Sequence, residues 1–315
     1  MTASARSVRQ VAYLGPPGTF TEEALLTQPD LAVADHLLCR SIPDVLGAAA
    51  DGRADLGFTA IENSIEGTVN VALDALIFEH DLLIQREVVI DVRLHLLGFS
   101  GTSLDKIRRV ISFPVATAQC RRYLTENLPH AEEIAANSTA AAARDLAVSK
   151  DETTVAIGTA LSQEIYGLDM IATDIEDHPE NQTRFVGVSR SGVPAPTGND
   201  KTSIVVFQHA DRSGSLMGIL AEFAARSINL TKLESRPTKK ALGDYCFLID
   251  LEGHVADQLV ADCLTSIMAK HGSVKFLGSY PTNIRGNEEH GNAATTAWTD
   301  AQNWIEGLRG QVDDP

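Results

Sequence analysis

Apolar positions along the chain switch between two spacings. Short apolar or alternating runs at 11–14, 56–61, 88–97, 109–113, 134–137, 155–157 and 170–173 read as strands. Helical patterns fall between them at 21–26, 43–50, 69–78, 116–128, 139–148 and 160–166. In 69–78, Val69, Leu73, Leu76 and Ile77 share one helical face. The pattern at 116–128 opens just after Pro114 and stops before Pro129, where proline permits a helix to begin and end. Strands alternating with helices imply an α/β domain on largely parallel, doubly wound sheets.

The pattern breaks at 189–200, where Gly192, Pro194, Pro196 and Gly198 leave no apolar period, the composition of a linker. Beyond it the order is strand 203–208, helix 215–226, strands 229–234 and 245–252, helix 255–270 and strand 274–278. Leu216, Ile219, Leu220 and Phe223 share a face of the first helix, and Leu259, Val260, Cys263 and Ile267 do so in the second. This βαββαβ order is that of a ferredoxin-like unit. The tail after Ile284 is rich in Gly, Asn and Thr and ends in one short amphipathic pattern at 298–308, expected to be loosely docked.

A chain of 315 residues suggests two domains, and 44% hydrophobic with 22% charged residues excludes a disordered or collagenous protein. Lys and Arg number 26 against 42 Asp and Glu, a net charge of −16 with no basic stripe, so no nucleic-acid partner is expected. No apolar run approaches the ~18 residues of a membrane span. The first ten residues carry arginines with no hydrophobic stretch behind them, so no secretion signal is read and the expected location is cytoplasmic. Cys39, Cys120, Cys246 and Cys263 form no Cys-x-x-Cys pair and read as reduced, buried small hydrophobes. A Gly-x-Gly-x-x-Gly turn, a Walker lysine, a Gly-x-Ser-x-Gly elbow, a His-Glu-x-x-His pair and histidines at ligand spacing are all missing, which disfavours dinucleotide, ATP and zinc enzymes.

The polar residues that remain cluster where strands end, the place ligands occupy in doubly wound sheets and where helix N-termini offer amides to anions. Gly15-Pro16-Pro17-Gly18-Thr19-Phe20-Thr21 follows the first strand and leads into a helix with Glu22 and Glu23 in its first turn. Ile61-Glu62-Asn63-Ser64 ends another strand, with Glu66-Gly67-Thr68 after it. Asn137-Ser138-Thr139 opens an alanine-rich helix. Helix capping and tight turns account for each of these as well as a ligand site does. Asn181-Gln182-Thr183-Arg184-Phe185 precedes a strand at 186–188 and reads as a loop in which a Thr-Arg pair beside an aromatic ring either holds an anion or does nothing special.

In order, these segments together with Ala118-Gln119-Cys120 and Ser138-Thr139-Ala140-Ala141-Ala142 resemble the successive motifs of the prephenate dehydratase family. In the C-terminal unit, Gly214-Ser215-Leu216-Met217 and Glu234-Ser235-Arg236-Pro237 resemble the Gly-Ala-Leu-Val and Glu-Ser-Arg-Pro motifs of that family's ACT domain. The resemblance runs from about residue 10 to 282. Departures are Ala60 in place of a frequent Pro, Phe113 in place of a frequent His, and Ser213, Ser215 and Met217 in place of Pro, Ala and Val.

The resemblance implies a bilobal catalytic domain, similar to type II periplasmic binding proteins, at 9–190, with the chain crossing between lobes near 93–98 and 166–174. A linker at 191–200, an ACT domain at 201–282 and a tail at 283–315 complete the expected organisation. It implies decarboxylative dehydration of prephenate to phenylpyruvate in phenylalanine biosynthesis, with no cofactor and no metal, and mutase activity supplied by another protein. Thr183 is the expected donor to the leaving hydroxyl, with Glu62 as rival acid if it is buried. Arg184 either grips a carboxylate or braces its loop. Thr19, Asn63, Ser64, Gln119, Ser138, Thr139 and Phe185 are the expected substrate contacts. ACT domains pair side by side, so a homodimer or homotetramer is expected. L-Phenylalanine is the expected effector, held by Gly214, Ser215, Leu216 and Met217, by Asn229 and Leu230, and by Glu234, Ser235, Arg236 and Pro237 of a partner subunit. Two other classes stay open: a non-catalytic amino-acid sensor on the same architecture, and an ATP phosphoribosyltransferase-like enzyme, for which no phosphate-binding loop is found.

Overall fold

The computed structural model describes residues 8–208, 213–239, 244–282, 298 and 303–311. The chain divides into two units, Met1–His80 with Val88–Arg190, and Asp81–Glu87 with Ser191–Pro315.

In the first unit β1 (Gln10–Leu14) is followed by α1 (Phe20–Leu26), α2 (Pro29–Ala32), β2 (Asp35–Cys39), α3 (Ile42–Ala50), β3 (Leu56–Asn63), β4 (Gly67–Thr68) and α4 (Asn70–Asp74). A π-helical turn, Ala75–Glu79, continues α4 and leads to β5 (Leu83–Asp91), of which Val88–Asp91 belong to this unit and the residues before them to the second. Then come β6 (His95–Gly98), β7 (Arg109–Ser112), α5 (Pro114–Gln119), α6 (Arg121–Asn127), β8 (Glu132–Ala135), α7 (Thr139–Ser149), β9 (Thr154–Gly158), α8 (Ala160–Tyr166), β10 (Asp169–Ala172) and β11 (Gln182–Ser189). Two sheets result, β2-β1-β3-β11-β5 with β4 beside β3, and β10-β6-β9-β7-β8. The chain passes from the first sheet to the second between β5 and β6 and returns between β10 and β11. This is the two-lobed, twice-crossed arrangement the resemblance implied, with the crossings at 92–94 and 173–181 rather than at 93–98 and 166–174, where β6 and β10 lie. Both sheets are mixed: β1 runs parallel to β2 and β3, and β7 to β8 and β9, while β11 is antiparallel to β3, and β6 to β9 and β10.

Three expectations are corrected at the crossings. The run at 88–97 is two strands, because the returning segment takes its donors: Val92 N donates to the Asn181 carbonyl (2.8 Å) and Leu94 N to Glu176 Oε2 (2.9 Å). The helix at 116–128 breaks at Cys120 (φ −115°, ψ 18°). There Asp177 N donates to the Gln119 carbonyl (2.6 Å), and the Asp177 carboxylate accepts from Arg122 N, so a residue 55 positions away caps α6. The Thr183-Arg184-Phe185 segment is strand rather than loop, paired with β3 along its length. The sequence reading also passes over α2 and β2, the latter an edge strand without clean alternation of burial.

Each lobe closes on its own apolar side chains. Val11, Tyr13, Leu25, Phe58 and Phe185 form one core. Leu96, Val110, Leu124, Val155 and Ile157 form another, and Phe20 at the start of α1 packs against both.

The second unit is β12 (Asp200–Gln208), α9 (Ser215–Ala224), β13 (Leu230–Pro237), β14 (Tyr245–Glu252), α10 (Gln258–Lys270) and β15 (Gly272–Pro281). Its sheet runs β13-β14-β12-β15 with every pair antiparallel, and α9 and α10 bury Ile219, Phe223, Cys263 and Ile267 on Ile204, Val206, Ile249 and Leu251. The βαββαβ order is as read, with β12, β13 and β15 longer than the apolar runs because polar residues extend the ladders. Cys120, Cys246 and Cys263 are buried, while Cys39 is only half-buried. Of the amphipathic pattern at 298–308, Trp298 and 303–308 are helical, and Trp304, Ile305 and Leu308 are exposed; 299–302 and 283–297 lie outside the described residues. Among the described residues, no helix is long and apolar enough to cross a membrane.

Candidate active site

The C-terminal ends of the parallel strands of both lobes face one another in the first unit. The loop after β1 meets the start of α8, which follows β9: Thr159 Oγ1 donates to the Gly18 carbonyl (2.8 Å), and the Tyr166 hydroxyl donates to the Pro17 carbonyl (2.8 Å). Gly18 has φ +90°, and a Cβ there would lie 2.9 Å from Ser162 Cα, so only glycine fits this approach. Gly18 N and the Tyr13 hydroxyl both donate to the buried Glu22 carboxylate (2.5 Å each). Burial, reinforced by that hydrogen bond, pushes the Tyr13 hydroxyl well above its ordinary pKa. Thr19 is spent on local structure: its oxygen accepts from Glu22 N (3.3 Å) and its hydroxyl donates to the Leu14 carbonyl (3.4 Å).

At the end of β3 the register sets Asn63 opposite Thr183 and Glu62 opposite Arg184. Asn63 Oδ1 accepts from Ile65 N and Glu66 N (2.9 Å each), a side-chain turn that aims its amide nitrogen at β11. Asn63 Nδ2 donates to Thr183 Oγ1 (2.9 Å) and to Asn181 Oδ1 (2.9 Å). Thr183 Oγ1 thereby accepts one hydrogen bond from a group that cannot accept one back, and among the described residues its own hydroxyl hydrogen has no acceptor. A half-buried hydroxyl in that state is set to donate to an incoming oxygen.

Ser64 behaves differently from expectation. Its hydroxyl donates to Asn181 Oδ1 (3.1 Å) and its oxygen accepts from Gln182 N (2.9 Å), so it ties β3 to the start of β11 and keeps no hydrogen for a substrate. Gln119, buried at the end of α5, accepts from Asn181 Nδ2 (3.1 Å) and donates to Glu66 Oε1 (3.1 Å). Asn63, Ser64, Gln119 and Thr183 thus belong to one hydrogen-bonded cluster whose other members, Asn181 and Glu66, the sequence reading quoted without placing in the site. Arg184 Nη1 lies 3.3 Å from Glu62 Oε2, with side chains 11% and 34% exposed. The rival reading of Glu62 required burial; the side chain is instead a half-exposed acceptor for the guanidinium.

The remaining expected contacts stand apart from this cluster. Ser138 caps α7, accepting from Ala141 N (2.9 Å), and Thr139 is buried in its first turn; no hydrogen bond links either to Thr183 among the described residues. Phe185 is corrected outright. It is 1% exposed, stacked on Phe58 with centroids 5.8 Å apart, and is a core residue rather than a substrate contact.

In the second unit, Gly214 (φ +88°) opens α9, and a hollow of about 290 Å³ lies there, lined by Gln208, Gly214, Ser215, Leu216, Met217, Leu220 and Phe247. The other expected effector residues do not line it. Asn229 Nδ2 donates to Glu252 Oε1 (2.9 Å), Leu230 begins β13, and Glu234 pairs with Arg236 (2.7 Å) on that strand, with Ser235 and Pro237 exposed beside them. β13 is an edge of its sheet.

A family model described as prephenate dehydratase matches residues 11–192. The prephenate dehydratase of Mycolicibacterium vanbaalenii is 41% identical over 314 residues, covering 95% of this chain and 98% of that protein. Among solved structures, the prephenate dehydratase of Arthrobacter aurescens in complex with L-Phe aligns with a TM-score of 0.84 and 37% identity, over 96% of this chain and 99% of that one. GqqA, described as a novel type of quorum quenching acylase, aligns with a TM-score of 0.79 and 31% identity over 88% and 99%. By the family model and by identity over nearly its whole length, the chain belongs to the prephenate dehydratase family and is an enzyme of the lyase class.

Proposed function

We propose that the chain converts prephenate to phenylpyruvate, carbon dioxide and water, with Thr183 donating a hydrogen bond to the departing ring hydroxyl. The ring carbon–oxygen bond breaks with its electron pair going to oxygen, and the hydroxide that leaves, held by the Thr183 hydrogen bond, takes a proton from solvent to become water. The bond to the ring carboxylate breaks, carbon dioxide departs, and its electron pair completes the aromatic ring. Aromatisation supplies the driving force, so the residues need only hold a dianion in one orientation and assist the leaving oxygen. Arg184, at the edge of the cluster beside Glu62, is the local positive charge for a carboxylate in a chain of net charge −16.

The single observation supporting this reading is Asn63 Nδ2 on Thr183 Oγ1 at 2.9 Å, which leaves the threonine hydrogen for the substrate. A threonine hydroxyl is a weak acid, and its role is to stabilise the leaving oxygen as negative charge develops there rather than to surrender its proton outright. Acyl transfer would require a base at the hydroxyl, and the group touching Thr183 is an amide donor. Thr183→Ala should lower turnover of prephenate by about 100-fold or more with the thermal melt unchanged; turnover within a few-fold of wild type would remove Thr183 from the reaction.

L-Phenylalanine is proposed as feedback inhibitor, its carboxylate at the start of α9 and its ring in the hollow beside Leu216, Met217, Leu220 and Phe247. Pairing of two copies along the β13 edge would bring Asn229, Leu230 and Glu234–Pro237 of a second chain toward that ligand, which supports a homodimer or homotetramer. The enzyme is proposed to act in the cytoplasm, where its unpaired cysteines stay reduced. Phenylpyruvate formation that falls as L-phenylalanine is added supports the effector assignment. Formation indifferent to it leaves the second unit as a pairing module.

A further inference from the structure

We propose that Asn181 is a positioning residue of the active site: its buried carboxamide, locked in one orientation, ties Asn63 and Ser64 to Gln119 and so holds the Asn63 amide on Thr183. It is 1% exposed and precedes β11 on the return crossing, so it touches no substrate. Its Oδ1 accepts from Asn63 Nδ2 (2.9 Å) and Ser64 Oγ (3.1 Å), and its Nδ2 donates to Gln119 Oε1 (3.1 Å). Its backbone carbonyl accepts from Val92 N on the outward crossing (2.8 Å), which holds the residue at the junction of the two lobes.

Only one orientation of this amide satisfies its neighbours. On one side, the Asn63 oxygen is committed to Ile65 N and Glu66 N, so Asn63 presents nitrogen and Asn181 must answer with oxygen. On the other, the Glu66 carboxylate only accepts, so Gln119 turns its nitrogen to Glu66 and its oxygen to Asn181, which must answer with nitrogen. The amides therefore align in one direction from Glu66 to Asn63. The hydrogens of that series run from Asn63 through Asn181 and Gln119 to Glu66, and the second Asn63 Nδ2 hydrogen goes to Thr183 Oγ1, which cannot donate back to it and keeps its own hydrogen for the substrate. A buried amide satisfied at both ends does not flip, so this polarity persists before substrate arrives. The inference rests on the reading of Thr183 as the donor to the leaving hydroxyl.

Asn181→Asp separates this role from plain packing. A protonated carboxyl reproduces the asparagine pattern: its carbonyl accepts from Asn63 and Ser64 and its hydroxyl donates to Gln119 Oε1. An ionised one sets oxygen against the Gln119 oxygen and adds negative charge to elements that carry Glu62, Glu66, Asp91, Glu176, Asp177 and Glu180, with Arg93, Arg184 and the His178 imidazole as the groups of opposite sign. Burial raises the introduced group's pKa, so the protonated form extends into the mildly acid range. Relative to wild type at each pH, Asn181→Asp should turn over within about 3-fold at pH 5 and fall by about 10-fold or more at pH 8, with kcat rather than KM carrying the loss. Asn181→Ala should lose about 10-fold or more at both pH values. In a Thr183→Ala background, Asn181→Ala should add no further loss.

Asn181→Ala turning over within 2-fold of wild type overturns the proposal. So does an Asn181→Asp deficit that is the same at pH 5 and pH 8. Near-normal turnover by Thr183→Ala alone refutes the reading of Thr183, while the relative pH profile of Asn181→Asp still decides whether the Asn181 amide holds the other three side chains together.

Discussion

At the scale of single residues, the cluster sorts its members by which hydrogens remain unspent. Thr183 keeps one, whereas Ser64 and Thr19 have given theirs away, and this separates the proposed donor to substrate from residues that tie local structure together. Ser138 belongs with the builders. Ser138→Ala should cost about 1 kcal/mol of stability as a lost helix cap and leave the KM for prephenate within 2-fold; a large rise in KM would return it to the substrate. Phe185→Ala should cost about 3–5 kcal/mol through the cavity left against Phe58, read as a lowered denaturation midpoint. Capping was legible in the sequence because Ser138 and Ala141 are three positions apart. The contact of Asn63 with Thr183 spans 120 positions, and only the resemblance to a family brought those two segments into one site.

Among the elements, strands and helices that obey their own periodicity were legible and those set by distant partners were not. β1, β3 and β9 follow the apolar pattern because they are buried on both faces as continuous apolar runs, and the helices of the βαββαβ unit because each buries one apolar face. The break between β5 and β6 and the break at Cys120 carry no local signal, since Asn181, Glu176 and Asp177 impose them from the return crossing. The polar start of β11 reads as loop for the same reason: β3, not apolar burial, holds Thr183 and Arg184 extended. In the second unit, Glu222 on α9 is gathered by Lys270, Arg226 and His271, and hydrogen bonds from Lys270 and Arg226 lower its pKa to about 2. A carboxylate depressed on folding contributes stability above its unfolded pKa and loses it as pH falls through the folded value. Glu222→Gln should therefore cost about 1 kcal/mol at pH 7, and its melting curve should converge on wild type as pH falls toward 2. A deficit independent of pH would assign Glu222 to packing instead.

For the whole molecule, the grouping of Asp81–Glu87 with the second unit is the feature a linear reading missed, because the boundary at 190/191 is visible in composition and the earlier exchange is not. Glu87 explains the grouping. Its carboxylate meets Lys201 Nζ at 2.9 Å with side chains 1% and 5% exposed, and Thr282 donates to it as well. Removing one partner strands a buried charge. Glu87→Gln should cost about 3–5 kcal/mol, and the pair Glu87→Leu with Lys201→Met should recover most of it; equal losses in both variants would show that the ion pair is not what the site requires.

The central claim is that a hydroxyl hydrogen at position 183 assists the leaving oxygen of prephenate, and the most direct measurement is kcat for phenylpyruvate release by Thr183→Ser and Thr183→Val beside wild type. Valine keeps the β-branched shape a strand favours and removes only the hydroxyl. The serine variant is expected to stay within about 10-fold of wild type and the valine variant to fall by about 100-fold or more with an unchanged melt. A valine variant that turns over as fast as the serine variant would contradict the account.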